Sequence, residues 1–229
     1  MIRKHLLLYP ALLTILLIGC RRTADLPETM EAHYMVYQIE YLEEQAGDIP
    51  TRILPGTMEA YYTKHYVYTR IDGFLNQFSL VQIADLKHKR VTTLLSFFGS
   101  KVYYRGESGE LPAGVAKPDH LKCKATGETA VIGGVSSEQL AVEADHERYN
   151  IYSTKEFSIR RPNISTPFHM VDDPLTDFRI ELSRLKIHLT CMEMESKTIE
   201  SEIFTIPGDY KAVNRNAMEE IINSLFTKD

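Results

Sequence analysis

Apolar and polar residues alternate in steps of two along much of this chain, and that period is typical of a β-strand with one buried face. In the first such stretch, Met35, Tyr37 and Ile39 share one face and polar residues share the other. Similar patterns predict further strands at residues 58–71, 77–85, 90–97, 101–104, 130–132, 139–144, 147–154, 177–183, 185–191 and 196–204. Turn signals between neighbouring strands, such as Asp72-Gly73, indicate hairpins and therefore an antiparallel arrangement.

The clearest alternation lies in the last third of the chain. Phe178, Ile180 and Leu182 share one face of a predicted strand, and Ile187 and Leu189 share one face of the next. These faces are apolar over several successive positions, so each must be buried against another part of the molecule or against a ligand.

The last element has a helical period instead. Asn216 is the predicted N-cap, Glu219 follows three residues later as in a capping box, and the apolar stripe comprises Met218, Ile221, Ile222 and Leu225. Because one helix cannot cover so many strands, the pattern predicts a mainly β (α+β) fold. We expect a large curved antiparallel sheet or unclosed half-barrel with a C-terminal helix.

The start of the chain has the three-part layout of an export signal. Arg3 and Lys4 precede an apolar run of about 13 residues, which is shorter than the roughly 20 residues of a membrane-spanning helix. The run ends in Leu17-Ile18-Gly19-Cys20, which resembles the lipobox of bacterial lipoproteins, although an ordinary signal with a chance cysteine is the alternative. The predicted division is a signal peptide at 1–19, a lipidated N-terminus and tether at 20–32, and a single β domain at 33–229.

Lipidation of Cys20 predicts where the protein works. Several acyl chains, palmitate among them, anchor a protein firmly where one chain would be marginal. The residues after Cys20 are Arg21-Arg22, and they lack the Asp that resembles an inner-membrane retention signal. We therefore expect an envelope protein attached to the outer membrane through its N-terminal lipid, with the domain facing the periplasm.

Charge and cysteine usage narrow the possible partners. Loss of Arg3 and Lys4 with the signal changes the formal net charge from −5 to −7, and no long basic run follows. Nucleic acid is therefore excluded as an expected partner, because binding it requires clustered cations.

Cys123 and Cys191 could form a disulfide in an oxidising compartment, closing a loop of about 68 residues, or stay as two buried free thiols. The sequence leaves both alternatives open.

The sequence carries none of the usual short catalytic or phosphate-binding motifs. We therefore expect a non-enzymatic protein without a cofactor or a metal. Asp145-His146-Glu147 is the densest cluster of metal-binding residue types, but neighbours on a strand point to opposite faces, so a solvated turn or strand end is the better interpretation. Residues 106–118 are rich in Gly and Pro and predict a long loop, a type that often forms a lid or is disordered.

Several short segments occur in the order found in a group of uncharacterised exported bacterial β-proteins. They are residues 54–58, 71–73, 83–87, 92–95, 152–156, 173–175 and 204–210. In these features the chain resembles the LolA/LolB-like periplasmic lipoprotein carriers. That fold is an unclosed antiparallel half-barrel whose concave apolar face is covered by helices or loops. The resemblance implies the same half-barrel, although no predicted helix before residue 216 corresponds to the carriers' helical lid.

The surplus of apolar strand faces over covering helices leads to a functional hypothesis. We expect a lipid-anchored envelope protein that binds an apolar ligand, such as a lipid or a lipoprotein acyl chain, in the concavity of the half-barrel. The residues expected to line it are Met35, Tyr37, Ile39, Phe178, Ile180, Leu182, Ile187 and Leu189. The alternative role of these residues is simply the core. The alternative function is an envelope interaction or sensing module that binds an unknown protein partner through a sheet edge or the 106–118 loop.

Overall fold

The computed structural model describes residues 26–46, 49–73 and 77–225. Its main feature is one long sheet of twelve strands, which are antiparallel except for the last short pair. The first half of the sheet comprises β1 (Thr29–Tyr41), β4 (Thr57–Tyr62), β5 (Tyr66–Asp72), β6 (Phe78–Asp85), β7 (Arg90–Phe97) and β8 (Ser100–Arg105). The second half comprises β9 (Lys122–Ile132), β10 (Val135–Ala144), β11 (Glu147–Ser153), β12 (Leu175–Leu182), β13 (Leu185–Glu200) and β14 (Lys211–Ala212). Two further strands, β2 (Gln45–Ala46) and β3 (Ile49–Pro50), pair only with each other.

The spatial order of the strands is β14-β8-β7-β6-β5-β4-β1-β13-β12-β11-β10-β9. The described sheet stays open, with β14 at one edge and β9 at the other. The predicted fold class is therefore confirmed: the chain is mainly β, its sheet is a long unclosed antiparallel one, and a helix follows near the C-terminus.

β4 and β5 occupy the stretch predicted as the single strand 58–71, so that part of the strand prediction was wrong. The chain turns at Thr63, whose side-chain oxygen accepts hydrogen bonds from the backbone N–H groups of Tyr66 at 2.9 Å and His65 at 3.3 Å. A threonine hydroxyl that satisfies nearby backbone donors offers the chain an alternative to the strand ladder. Alternation alone does not reveal such a turn, because the apolar pattern resumes on its far side.

The centre of the sheet is the long pair β1–β13. All thirteen residues of β1 have a partner on the sixteen-residue β13, with one irregularity in register between Val36 and Tyr37. The predicted strand 196–204 is the end of β13, and its last residues, Ser201–Phe204, form a 3-10 turn. β1 begins at Thr29, four residues before the predicted start of the domain, because Thr29–Ala32 pair with the end of β13.

The second half of the sheet curls back towards its centre. The β9–β10 turn brings Gly133 against β13, where a Cβ on Gly133 would lie 2.6 Å from the Sγ of Cys191. Gly133 also has a φ of 59°, so both the close approach and the backbone favour glycine. This contact brings the β9–β10 turn against β13, three strands away from β10 in the sheet order.

The inner face of the sheet, which carries Met35, Tyr37 and Ile39, is covered mainly by the link between β11 and β12. This link, residues 154–174, is hereafter the covering segment. Phe157, Ile159, Phe168 and Val171 of the covering segment are all buried. The loop 106–121 adds Ala113 and Val115, also buried. Residues 106–118 were predicted as a long loop, a type that often forms a lid or is disordered; here they are a loop whose Ala113 and Val115 pack into the core.

The outer face is partly covered by the link between β13 and β14. Phe204 lies in this link and packs with Val81, Ile83 and Leu94, which come from β6 and β7. The link then brings Lys211 and Ala212 alongside β8 in the one parallel pairing. The molecule therefore has an apolar cluster on each side of the same sheet.

Helix α1 (Arg215–Ser224) is the only α-helix in the described residues. Its N-cap is Asn214, whose side chain accepts a hydrogen bond from the Ala217 N–H at 2.9 Å, so the prediction of Asn216 as the cap was wrong by two residues. The apolar side of the helix is the one predicted from the sequence, and its Met218 and Ile222 are buried.

Nowhere in residues 26–46, 49–73 and 77–225 is a helix both long and apolar enough to cross a membrane. The predicted signal peptide and Cys20 lie outside the described residues.

Candidate functional site

The eight residues predicted to line an apolar concavity lie together on the inner face. Seven of them, all but the partly exposed Ile180, are buried within the main apolar cluster. They are packed against the covering segment, the 106–121 loop and α1, all of which contribute side chains to the same cluster. In this conformation the eight residues have their alternative role, that of the core.

Tyr37 shows how closely this core is organised. Its hydroxyl donates to the Leu175 carbonyl at 2.7 Å and lies 2.9 Å from the Tyr62 hydroxyl and 3.3 Å from the sulfur of Met35. Burial raises the pKa of Tyr62 to about 12 and also raises the pKa of Tyr37 well above its ordinary value. Both hydroxyls therefore stay protonated near neutral pH and act as hydrogen-bonding groups inside the core.

Little open space remains between the covering segment and the sheet. The cavity there has a volume of about 30 Å³ and is lined by residues of both, among them Met58, Tyr62, Asn163, Phe178 and Leu189. Pockets that bind small molecules typically have ten times this volume or more. An acyl chain could therefore enter only if the covering segment moved.

A polar row also crosses the inner face. Thr69, Gln82 and Thr93 are direct partners across β5, β6 and β7. Thr93 is fully buried, and its hydroxyl has no hydrogen-bond partner within the described part of the chain. The inner face is thus less uniformly apolar than the strand alternation predicted.

Cys123 and Cys191 are both free thiols in the described structure. Gly133 touches Cys191, and Cys123 lies ten residues from Gly133, or about 30 Å along a strand. A disulfide needs Cα atoms within about 7 Å of each other. Burial raises the pKa of the Cys191 thiol to about 11, which disfavours the reactive thiolate at neutral pH.

Two larger clefts open on the surface. The first, of about 320 Å³, lies beside the β10–β11 turn and is lined by charges of both signs, including Lys117, Asp119, Arg179 and Lys186. The turn itself is Asp145-His146, with φ values of 49° and 65° at its two residues, the left-handed pair that a tight hairpin turn needs. Asp145 and Glu147 line this cleft, whereas the exposed His146 is not among its lining residues.

The second cleft, hereafter the basic cleft, has a volume of about 460 Å³. Its cationic lining residues are Lys64, Lys87, Lys89, Arg160 and Arg161. His65, His169 and a few apolar side chains complete the lining, and within the described part of the chain no Asp or Glu contributes to it. The sequence gives little sign of this cleft, because its cations come from three separate segments that only the fold brings together.

A polar cluster of Glu40, Asp177, His188 and Thr190 lies on the outer face and was not predicted from the sequence. Asp177 accepts a hydrogen bond from the Thr190 hydroxyl at 2.8 Å, and its other oxygen lies 2.9 Å from Nε2 of His188. The second ring nitrogen of His188 faces Glu40 at 3.4 Å. Thr190 donates to the carboxylate and lies 3.5 Å from His188, so this is not the arrangement of a nucleophile activated by a histidine base. The one feature of the sequence that hints at this cluster is that His188 and Thr190 are two residues apart, so their side chains share one face of β13.

The edge strand β9 is the fourth surface feature. Eight of its eleven residues are exposed, and in the described sheet β10 is its only neighbour. Lys122 and Lys124 lie at one end, a register irregularity with Gly127 at a φ of 85° lies near the middle, and Val131 is 77% exposed at the other end. Edge strands of this length present unpaired backbone groups to other chains.

Comparison with known proteins adds information about the fold. No protein-family model and no curated protein matches this sequence. Among solved structures, "Structure of PNGF-II in P21 space group" is similar, with a TM-score of 0.55 and 9% sequence identity. The match covers 84% of this chain and 33% of that chain, so this chain spans about a third of that protein's length. At this level of identity the likeness concerns the fold alone.

Proposed function

We propose that this chain is a lipid-anchored, non-enzymatic interaction module of the bacterial cell envelope that holds an extended segment of a partner protein along β9. The observation that carries the proposal is the long exposed edge of this strand. A segment that adds a strand to a sheet edge gains backbone hydrogen bonds, and its alternate side chains provide specificity. The closely packed inner face supports a surface role over an internal one.

The chemistry of the edge specifies the partner. Residues Thr129–Ile132 are uncharged and include the exposed Val131, which suits a partner segment rich in β-branched side chains. Lys122 and Lys124 lie beyond the irregularity at Gly127 and favour an acidic residue at the far end of the partner segment. The charges and the irregularity also protect that end against pairing with further copies of the same edge.

The anchor completes the proposal. Leu26, the first described residue, follows Cys20 by six positions, so the connecting chain reaches about 20 Å at most. A lipid on Cys20 would therefore hold the domain close to the membrane surface, in the periplasm if the lipid inserts in the outer membrane as proposed.

Photo-crosslinking in living cells tests the partner site. A photoreactive amino acid at Val131 should give one discrete adduct with another envelope protein. The same group at Phe98, which is 72% exposed and lies on the β7–β8 turn, is the matched control and should give none. Replacing both Lys122 and Lys124 by Glu should reduce the Val131 adduct at least several-fold. Equal adducts at the two positions, or no adduct at Val131, would rule out this edge as the binding site.

Labelling with an alkyne-bearing fatty acid tests the anchor. The wild-type chain should incorporate the label and fractionate with the outer membrane. Cys20→Ser should incorporate none. Incorporation by Cys20→Ser would show that the lipid is elsewhere and would remove the anchor from the proposal.

An apolar ligand on the inner face, as the LolA/LolB-like resemblance implies, is the second candidate function. Its support is the contiguous apolar surface under a covering segment that contains only a short 3-10 turn. Binding would require this segment to lift from the sheet. Solvent extraction of the purified protein, followed by mass spectrometry, should then recover a stoichiometric lipid, and recovery of none would reject this candidate.

A further inference from the structure

The basic cleft is unusual for an acidic protein. The chain has 26 Lys and Arg against 31 Asp and Glu, yet five cationic side chains and no described acidic one line this single cleft. Only Arg161 among the five makes an ion pair with a described residue, at 3.5 Å from Asp172. Like charges gathered without partners repel each other. Four of the five cations have no ion-pair partner among the described residues, and together they offer a site for an anion.

Two of the five cations lie at left-handed backbone positions. Lys89 and Arg161 have φ values of 53° and 54°, in the left-handed region that favours glycine or asparagine over long side chains. Each of these positions nevertheless carries a cation that lines the cleft.

Size and lining define the class of ligand. The volume of about 460 Å³ lies in the range of small-molecule sites, which is larger than a simple ion requires. Leu86, Leu111 and Ile164 provide apolar surface beside the cations. This combination fits a phosphate group that is attached to an apolar or neutral body.

The position of the cleft identifies the source of that phosphate. Tyr62 pairs with His33 near the start of β1, and Tyr66 pairs with Asp85. The β4–β5 and β6–β7 turns, which carry Lys64, Lys87 and Lys89, therefore lie at the end of the sheet where β1 begins. The chain leads from that end to Cys20, six residues before Leu26.

We propose that the basic cleft binds the phosphate of an anionic phospholipid headgroup in the membrane that carries the anchor. This inference uses the proposed lipidation of Cys20 to choose a membrane source over a soluble one. It is independent of the proposed partner edge, since β9 lies at the far edge of the sheet. The cations at the sheet end would then orient the domain on the membrane surface.

Calorimetric titration of the purified full chain in neutral detergent tests the proposal with monomeric short-chain lipids. Dihexanoyl phosphatidylglycerol should bind, and dihexanoyl phosphatidylcholine should not. Inorganic phosphate should bind at least about tenfold more weakly than dihexanoyl phosphatidylglycerol. Higher salt should weaken binding, because all five cations are exposed to solvent. These probes do not require Cys20 to be lipidated. A wrong proposal for the anchor would therefore show in the fatty-acid labelling, and a wrong proposal for the cleft would show in this titration.

Charge variants locate the binding. Lys87→Gln with Arg160→Gln should lower the affinity for the anionic lipid about tenfold or more. Lys87→Arg with Arg160→Lys should retain it, which separates loss of charge from loss of folding. The matched control, Lys211→Gln with Arg148→Gln, removes an exposed Lys and an exposed Arg outside the cleft and should change the affinity less than about twofold. Unchanged binding by the neutralised cleft, equal binding of phosphatidylcholine, or equally tight binding of inorganic phosphate would each overturn the proposal.

Discussion

Asn163 fixes the internal shape of the covering segment. Its side-chain amide donates to the Val171 carbonyl at 2.9 Å and to the Asp173 carbonyl at 2.8 Å, and the residue is 3% exposed. Both acceptors belong to the later part of the same segment. One side chain thus joins the middle and the end of a stretch that lacks regular secondary structure over most of its length.

Asn163→Ala should therefore lower the free energy of unfolding by about 2 kcal/mol, because the buried Val171 carbonyl and the partly buried Asp173 carbonyl lose their donor. Urea unfolding followed by circular dichroism measures this change. Asn150→Ala, at an exposed position of β11, is the control and should cost about 0.5 kcal/mol or less. An equal loss in the two variants would contradict a special role for Asn163.

At the scale of elements, Glu110 joins helix α1 to the 106–121 loop. It accepts hydrogen bonds from the Tyr104 hydroxyl and the Glu107 N–H, both at 2.7 Å, and pairs with Arg215 at 2.7 Å. Burial alone would raise the pKa of this carboxyl. The hydrogen bonds from Glu107, Tyr104 and Arg215, together with the charge of Arg215, outweigh burial and lower it.

A lowered pKa gives Glu110 a definite pH dependence. Its stabilising effect is complete above its ordinary value of 4.5 and disappears as the pH falls through the folded-state pKa. Glu110→Gln should therefore cost about 1 kcal/mol at pH 7 and much less at pH 3, as measured by urea unfolding at both values. Glu107→Gln, whose side chain is 82% exposed, is the control. A cost for Glu110→Gln that did not shrink on acidification would refute this account.

Most elements could be predicted from the sequence because their signal is local. The alternation in Phe178, Ile180 and Leu182 predicted β12, and the apolar stripe with Met218 and Ile222 predicted α1. Asn214 and Asn216 are equally able to cap a helix, so the choice between them depends on the actual first turn. The turn at Thr63 was missed because it interrupts the strand without interrupting its apolar pattern.

The candidate sites could hardly be predicted, because they depend on contacts between distant segments. The basic cleft joins residues of the β4–β5 turn, the β6–β7 turn and the covering segment. The polar cluster requires the register that places Asp177 opposite Thr190. The covering segment has no periodic pattern, and the sequence did not indicate that it would occupy the concavity expected for a ligand.

At the scale of the whole molecule, one sheet supports two apolar clusters. The inner cluster contains Phe168 of the covering segment, and the outer cluster contains Phe204 of the link to β14. β6 and β7 contribute to both, with Leu80 and Leu95 on the inner side and Val81 and Leu94 on the outer side. Because the clusters share these strands, we expect them to unfold together.

Substitution in either cluster tests this cooperativity. Phe168→Ala and Phe204→Ala should each lower the free energy of unfolding by about 3–5 kcal/mol, since both rings are buried and leave cavities. Met192→Ala, at a side chain that is 59% exposed, should change it by about 0.5 kcal/mol or less. In every variant, urea unfolding by circular dichroism and by tyrosine fluorescence should give one coincident transition. Two separated transitions in Phe204→Ala would show instead that the outer cluster is an independent unit added to a sheet stabilised from its inner side.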